Sequence, residues 1–133
     1  MKKKRCIVFI GGGVQEVNII KYLKKKYKII LLDKNKKCAC RKYSDFFINV
    51  SATNLVEIKK YINKILKKKP LIALTFSELE IAATIINNAI FIKNRINLRK
   101  VLCFKNKFLT KKKFNTHKVN TPEFLFASVY LNP

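Results

Sequence analysis

Cys6-Ile7-Val8-Phe9-Ile10-Gly11-Gly12-Gly13 decides the fold: an unbroken apolar run ends in all three glycines of the chain, and a helix-like segment begins near Gln15. A short apolar run without polar alternation reads as a parallel strand covered on both faces. Consecutive glycines let backbone N–H groups approach a ligand closely, at a helix end that carries partial positive charge. The turn is therefore a candidate anion-binding site. The rest of the sequence is poor in glycine and rich in Lys, Asn, Ile, Phe and Tyr, the bias of an AT-rich coding sequence, so the glycine cluster stands out against it.

Outward from this turn, strands and helices alternate. Arg5 to Ile10 is the first strand and Gln15 to Lys26 a helix with Val17, Ile20 and Leu23 on one face. Ile29 to Leu32 is a second strand ending at Asp33, followed by a basic loop and a third strand over Phe46 to Val50. Asn54 to Lys68 carries Leu55, Ile58, Ile62, Ile65 and Leu66 at helical spacing, with Asn54-x-x-Glu57 as a capping box and Pro70 just past its end. Leu71 to Phe76 is the fourth strand, Ser77-x-x-Glu80 opens a helix to about Asn88, and Ala89 to Ile92 is a short fifth strand. This alternation predicts an α/β fold, a Rossmann-like doubly wound parallel sheet of 4–5 strands in the order 3-2-1-4. Residues 1–93 form that domain. After about residue 94 the sequence turns polar and basic, with two short helices, a turn and a strand-like stretch over Glu123 to Ala127.

With 133 residues, 49% of them hydrophobic, the chain has enough apolar material for one proper core. The longest weakly polar stretch, Ile81 to Ile92, is shorter than the roughly 18 to 20 apolar residues that span a bilayer, so no membrane association is expected. Only five apolar residues follow the basic start, short of the ~7 to 15 of a secretory signal, and the expected location is cytoplasmic. The four cysteines and single His117 lack the ligand spacing of a zinc site, so free thiols and no metal are expected. Thirty basic against seven acidic residues give a net charge of +23. Such a field attracts polyanions by counterion release. The lysine runs are dispersed at helix-like ends, where they complement helix dipoles, and no reader motif accompanies them, so no specific nucleic acid partner is expected.

In the expected topology the strand order reverses between strands one and four, and ligands bind there, beyond the carboxyl ends of the strands. Gly11, Gly12 and Gly13 then face Thr75-Phe76-Ser77-Glu78. A dinucleotide fingerprint using Gly11 and Gly13 would have Glu16 at its third glycine, crowding the helix and repelling a pyrophosphate. Asp33 stands where such folds hold a ribose hydroxyl, and equally where a strand-end acid caps its own turn. Glu78 is placed to accept hydrogen bonds from an amine or hydroxyl substrate, or to favour a helix dipole. No nucleophile–base pair and no carboxylate cluster for magnesium is visible, so no catalytic residue is assigned.

Four segments in order, CIVFIGGGVQEVNIIKYLKKKYKIILLDKN, RKYSDFFINVSATN, LIALTFSELEIAATI and NKFLTKKKFNTHKVNTPEF, resemble the N-terminal domain that precedes the ATP-grasp fold in carboxylate-amine ligases. Related domains occur in biotin carboxylase, carbamoyl-phosphate synthase large subunits and purine-biosynthesis ligases. The resemblance implies that Gly11, Gly12, Gly13 and Glu78 face the acceptor substrate, a small carboxylate or amine, and that Lys107 contacts ATP phosphates. Asn106 stands where the family has aspartate and Lys118 where it has glycine. The resemblance further implies that 94–133 is a linker and the start of a truncated ATP-grasp domain. ATP and Mg2+ would be held by lobes downstream, and a segment without them would be inactive alone, whether or not it forms a homodimer. Two other readings stand beside it: a stand-alone Rossmann-like NAD(P)- or nucleotide-binding module, and a basic protein binding nucleic acid non-specifically.

Overall fold

Four all-parallel strands, in the order β3-β2-β1-β4, organise the computed structural model, which describes residues 4–91 and 93–123. They are β1 (Cys6–Ile10), β2 (Lys28–Asp33), β3 (Phe46–Asn49) and β4 (Pro70–Leu74), and the order is the one the alternation predicts. Helices α1 (Val17–Lys24), α2 (Leu55–Lys67) and α3 (Glu80–Ile90) connect them, with a short 3-10 helix at Arg41–Tyr43. The fold is α/β and Rossmann-like.

Successive side chains of a strand point to opposite faces, and here both faces are covered. Val8, Ile10, Ile30 and Leu32 pack with Ile58 and Ile65 of α2 and Ala82, Ala83 and Ile86 of α3. Ile7, Phe9, Ile29 and Leu31 pack on the other side with Ile20 of α1 and the buried thiols Cys38 and Cys40. Phe9 is fully buried, and removing a buried aromatic of this kind costs roughly 3–5 kcal/mol.

Local chemistry fixes the helix ends. Asn54 Oδ1 accepts from the Glu57 N–H at 3.0 Å while its side-chain amide donates to Glu57 Oε2 at 3.2 Å, so the start of α2 is capped as its sequence foretells. The α3 start differs from expectation. Its N-cap is Leu79, without a side-chain cap, because the Ser77 hydroxyl stands beside Thr75 Oγ1 at 3.3 Å instead of reaching into the helix. Ala89 and Ile90, expected in a fifth strand, are the last turn of α3, since helical bonding carries on past Asn88 to the Phe91 N–H, which donates to Asn87 O. Residue 92 and the strand-like stretch from residue 124 onward lie outside the described residues.

The chain divides into two units at Ile96 and Asn97. In the second, α4 (Leu98–Lys105) and α5 (Lys107–Thr116) are capped by Asn97 and Asn106. Lys118 closes α5 in the left-handed backbone region at φ 54°, with its N–H donating to Asn115 O. A glycine would adopt that conformation without steric cost, which is the physical meaning of the glycine that the resemblance places there.

Asn87 ties α3 to β4. Its side chain accepts from the Ala73 N–H at 2.7 Å and donates to the Ala73 carbonyl at 2.9 Å, in a buried setting. Asn87→Leu keeps the branched shape and orphans both backbone groups, so denaturant unfolding of the variant is expected to show a loss of about 3 kcal/mol.

Candidate functional site

The glycine turn at the end of β1 is held by hydrogen bonds on every side. Gly11 has φ 86°, and its N–H donates to Leu32 O at 2.9 Å, extending the β1–β2 ladder. A Cβ at Gly11 would stand 2.8 Å from Ser77 Oγ and 3.2 Å from Leu79 Cδ1, so both the backbone conformation and the close approach of the β4–α3 loop require glycine. The turn thus faces that loop through Ser77, as the topology predicts, but the two loops close on each other there, and the cavities lie instead toward the ends of β2 and β3. Gly12 is buried: its N–H donates to Asp33 Oδ2 at 2.7 Å and its carbonyl accepts from the Cys40 N–H at 3.1 Å. Gly13 is exposed, and its carbonyl accepts from the Cys40 thiol at 3.2 Å.

These bonds narrow what the turn can offer an anion. The N–H groups of Gly11 and Gly12 are already spent inside the protein, while among the described residues that of Gly13 has no acceptor. Behind it the α1 N-cap is Glu16, a buried acid with Oε2 only 2.8 Å from the place of a Gly13 Cβ. Negative charge there opposes a pyrophosphate at this helix end.

Asp33 joins three segments. Its Oδ2 accepts from Gly12, its Oδ1 accepts from the Asn35 N–H at 2.7 Å, and its carbonyl accepts from Asn49 Nδ2 at 2.9 Å. Both carboxylate oxygens therefore hold backbone, which is the turn-capping reading of this residue. Asp33 also lines two cavities. One, of ≈180 Å3, lies among Gly11, Lys34, Ser51, Thr53 and Leu79; the other, of ≈350 Å3, lies among Gly12, Gly13, Asn35, Lys37 and Cys38.

Ser51, Thr53 and Lys34 escape the sequence reading. Their signal was present: Ser51-Ala52-Thr53 follows β3, and the same rule that selects the loops after β1 and β4 applies to every strand end on this edge. The Ser51 and Thr53 hydroxyls lie 2.8 Å apart at the entry to α2. Glu78 is exposed in the bend before α3 and is not among the residues lining either cavity. Glu80, not Glu78, is the acid in the first turn of that helix. Lys107, in the second unit, is the exposed first residue of α5, next to the Asn106 cap whose Oδ1 accepts from Leu109.

Burial, reinforced by the negative charges of Glu16, Cys38 and Asp33, pushes the Cys40 thiol up to about 11. It stays protonated and donates to Gly13. Among the described residues no group of three or more His, Cys, Asp or Glu side chains is placed to hold a metal.

Two outcomes follow from this geometry. Asp33→Ala is expected to cost about 2 kcal/mol of stability in the absence of any ligand, measured by denaturant unfolding, because two N–H groups lose their acceptor. Because the Cys40 pKa is raised on folding from 9.0 to about 11, its contribution is complete below pH 9 and disappears as pH climbs through 11. Thermal midpoints of the native chain should fall across that window more steeply than those of Cys40→Ala.

No family model matches the sequence, and no curated protein matches it. Solved structures do match in fold. N5-carboxyaminoimidazole synthetase from Staphylococcus aureus, complexed with ADP, superposes with a TM-score of 0.63 at 20% identity, over 88% of this chain and 31% of its own. N5-carboxyaminoimidazole ribonucleotide synthetase from Thermotoga maritima gives 0.62 at 17% identity, over 90% of this chain and 32% of its own. An ADP complex of an N5-carboxyaminoimidazole ribonucleotide synthetase gives 0.60 at 18%, over 89% and 30%. The chain thus spans about a third of the length of these synthetases. Its fold is that of their N-terminal portion.

Proposed function

We propose that this chain is the N-terminal, substrate-binding domain of an ATP-grasp ligase that joins a carboxylate to an amine at the expense of ATP, and that it is inactive by itself. The observation that carries the reading is the fold match over 88% of the chain, which takes in residues from both units and not the sheet alone. The ordered motifs of the sequence point the same way. In this reading the crevice at the carboxyl ends of β1, β2 and β3 receives the acceptor substrate. Gly11, Gly12 and Gly13 shape its wall, the Gly13 N–H and the hydroxyls of Ser51 and Thr53 offer hydrogen bonds, and Lys34 offers a charge to an anionic substituent. Glu78, which lines neither cavity, is assigned by the resemblance as an acceptor for an amine or hydroxyl of the substrate, and Lys107 as a contact to ATP phosphates.

In the complete enzyme ATP would activate the carboxylate as an acyl phosphate, which the amine then displaces. The described residues do not form a cluster that fits Mg2+, so no step of that chemistry is assigned to them. Nucleotide and metal belong to the lobes that follow in such ligases, and the working compartment is the cytoplasm.

The stand-alone nucleotide-binding module remains the second reading, because Asp33 lines both cavities at the glycine turn. Its two oxygens already hold backbone N–H groups, which weakens it as a ribose ligand.

Binding and turnover separate the two. A substitution at Gly12 would disturb the fold itself, since a Cβ there meets Cys38 Sγ at 3.0 Å and Leu31 at 3.2 Å. Gly13 is the better probe: its nearest neighbour is the movable end of Glu16. The chain should turn over no ATP with Mg2+ and a panel of amines and carboxylates. It should be stabilised in thermal shift by a carboxylate- or phosphate-bearing substrate, and Gly13→Asp should weaken that binding at least tenfold. ATP turnover above the blank would sink the claim of inactivity. Stabilisation by NAD, lost in Asp33→Ala measured against its own ligand-free midpoint, would establish the nucleotide module instead.

A further inference from the structure

At the amino ends of the strands, away from the glycine turn, the sheet carries a second concave site of ≈600 Å3. We propose that this site binds a compact, multiply charged phosphate anion. The inference rests on no part of the ligase reading.

Six of the eight residues lining the cavity are cationic: Lys4 and Arg5 ahead of β1, Lys28 opening β2, and Lys67, Lys68 and Lys69 at the end of α2. Cys6 and Phe46 supply the remainder. The cations are denser here than in the other hollows described: each cavity at the glycine turn has one cation among eight lining residues, and the hollow over residues 37–42 has three among five. The chain brings its charges to this edge from separate segments, where parallel strands begin and α2 ends.

Two of the six are held within the protein. Lys4 Nζ donates to Lys24 O at 3.0 Å, and Lys68 Nζ stands 4.3 Å from the centre of the Phe46 ring. Among the described residues, no acid or acceptor engages the side chains of Arg5, Lys28, Lys67 and Lys69. The nearby strand-end acid Asp45 does not line the cavity and is occupied by the Ile29 N–H at 2.8 Å and by Lys24 at 3.9 Å. Lys69, moreover, sits in the left-handed region at φ 49°, where glycine is the residue without steric cost. These four side chains are exposed, and together they raise the positive potential of the hollow, which favours an anion there.

The shape and chemistry select the anion. A concave hollow suits a compact ligand rather than a flat lipid surface. Several negative charges in a small volume are the property of a phosphate chain, and lysine binds phosphate as a point charge. The one aromatic ring in the lining, Phe46, packs against the core and carries Lys68 over its ring, so it offers a poor platform for stacking a base, and the phosphates are the part read.

Calorimetric titration at about 0.15 M salt, where surface charges are screened over roughly 8 Å, tests the site. The probes are inorganic tripolyphosphate, orthophosphate, ATP and a single-stranded DNA oligomer. The variants are Lys67→Ala/Lys69→Gly, in which glycine fits the backbone of residue 69, and Lys59→Ala/Lys60→Ala, which removes the same charge from an exposed part of α2. Tripolyphosphate should bind with one-to-one stoichiometry, more tightly than orthophosphate, with at least a tenfold loss in the first variant and less than a twofold change in the second. Tripolyphosphate affinity equal to or above that of ATP would support a site that reads the phosphate chain alone, and tighter ATP would show that the nucleoside is read and would overturn it. Equal loss in the two variants would show that only net charge acts, and would overturn the proposal. So would absence of tripolyphosphate binding, or binding of the DNA oligomer that tripolyphosphate fails to displace.

Discussion

A parallel sheet leaves neither face to water, and nearly everything else in the first unit follows from that constraint. Each crossover must return the chain to the same edge, so helices are laid on both faces and every strand ends on the same side. The apolar run of β1 is unbroken for this reason: Val8 and Ile10 serve one layer, Ile7 and Phe9 the other. At the carboxyl ends of β1, β2 and β3 the loops leave a cavity lined by Gly11, Asp33, Ser51 and Thr53, with Leu79 of the β4–α3 loop packed beside Gly11. The candidate site is thus a by-product of the packing, and its chemistry is set by whichever residues stand at the strand ends.

Those residues do two jobs with few groups. Asp33 binds the glycine turn, its own loop and, through its carbonyl, the amide of Asn49 at the end of β3. Cys40 secures the turn from the opposite side through its N–H and its protonated thiol. The result is a turn whose shape is fixed before any ligand arrives, a condition for binding without a large ordering cost. The same bonds reduce the number of N–H groups left over. Charge opposes a dinucleotide through Glu16, while the hydroxyls after β3 offer polar contacts to a smaller group.

The sheet order, the four strands, the three connecting helices and the Asn54 cap were legible in the sequence because each rests on local periodicity or on a capping pattern within four residues. The start of α3 was not. Ser77-x-x-Glu80 has the spelling of a cap, but the close approach of Gly11 and the hydroxyl of Thr75 keep Ser77 in the loop. The fifth strand failed likewise, because Ala89-Ile90 is apolar in a way that suits a strand or the last turn of a helix, and periodicity cannot divide the two over so short a run.

By itself the sequence determined the class of fold, the place of the glycine turn and the resemblance that names a candidate ligase domain, since these depend on the order of residues along the chain. It also assembled the charge, but as dispersed runs that look like ordinary solvated helix ends. Only the tertiary structure decided that Lys4, Arg5, Lys28 and Lys67 to Lys69 surround one cavity, that Asp33 faces Gly12, and that Ser51 and Thr53 share a cavity with Gly11. These groups are far apart in sequence. Their meeting depends on strand register and on where each crossover sets its helix, which no local pattern of residues encodes.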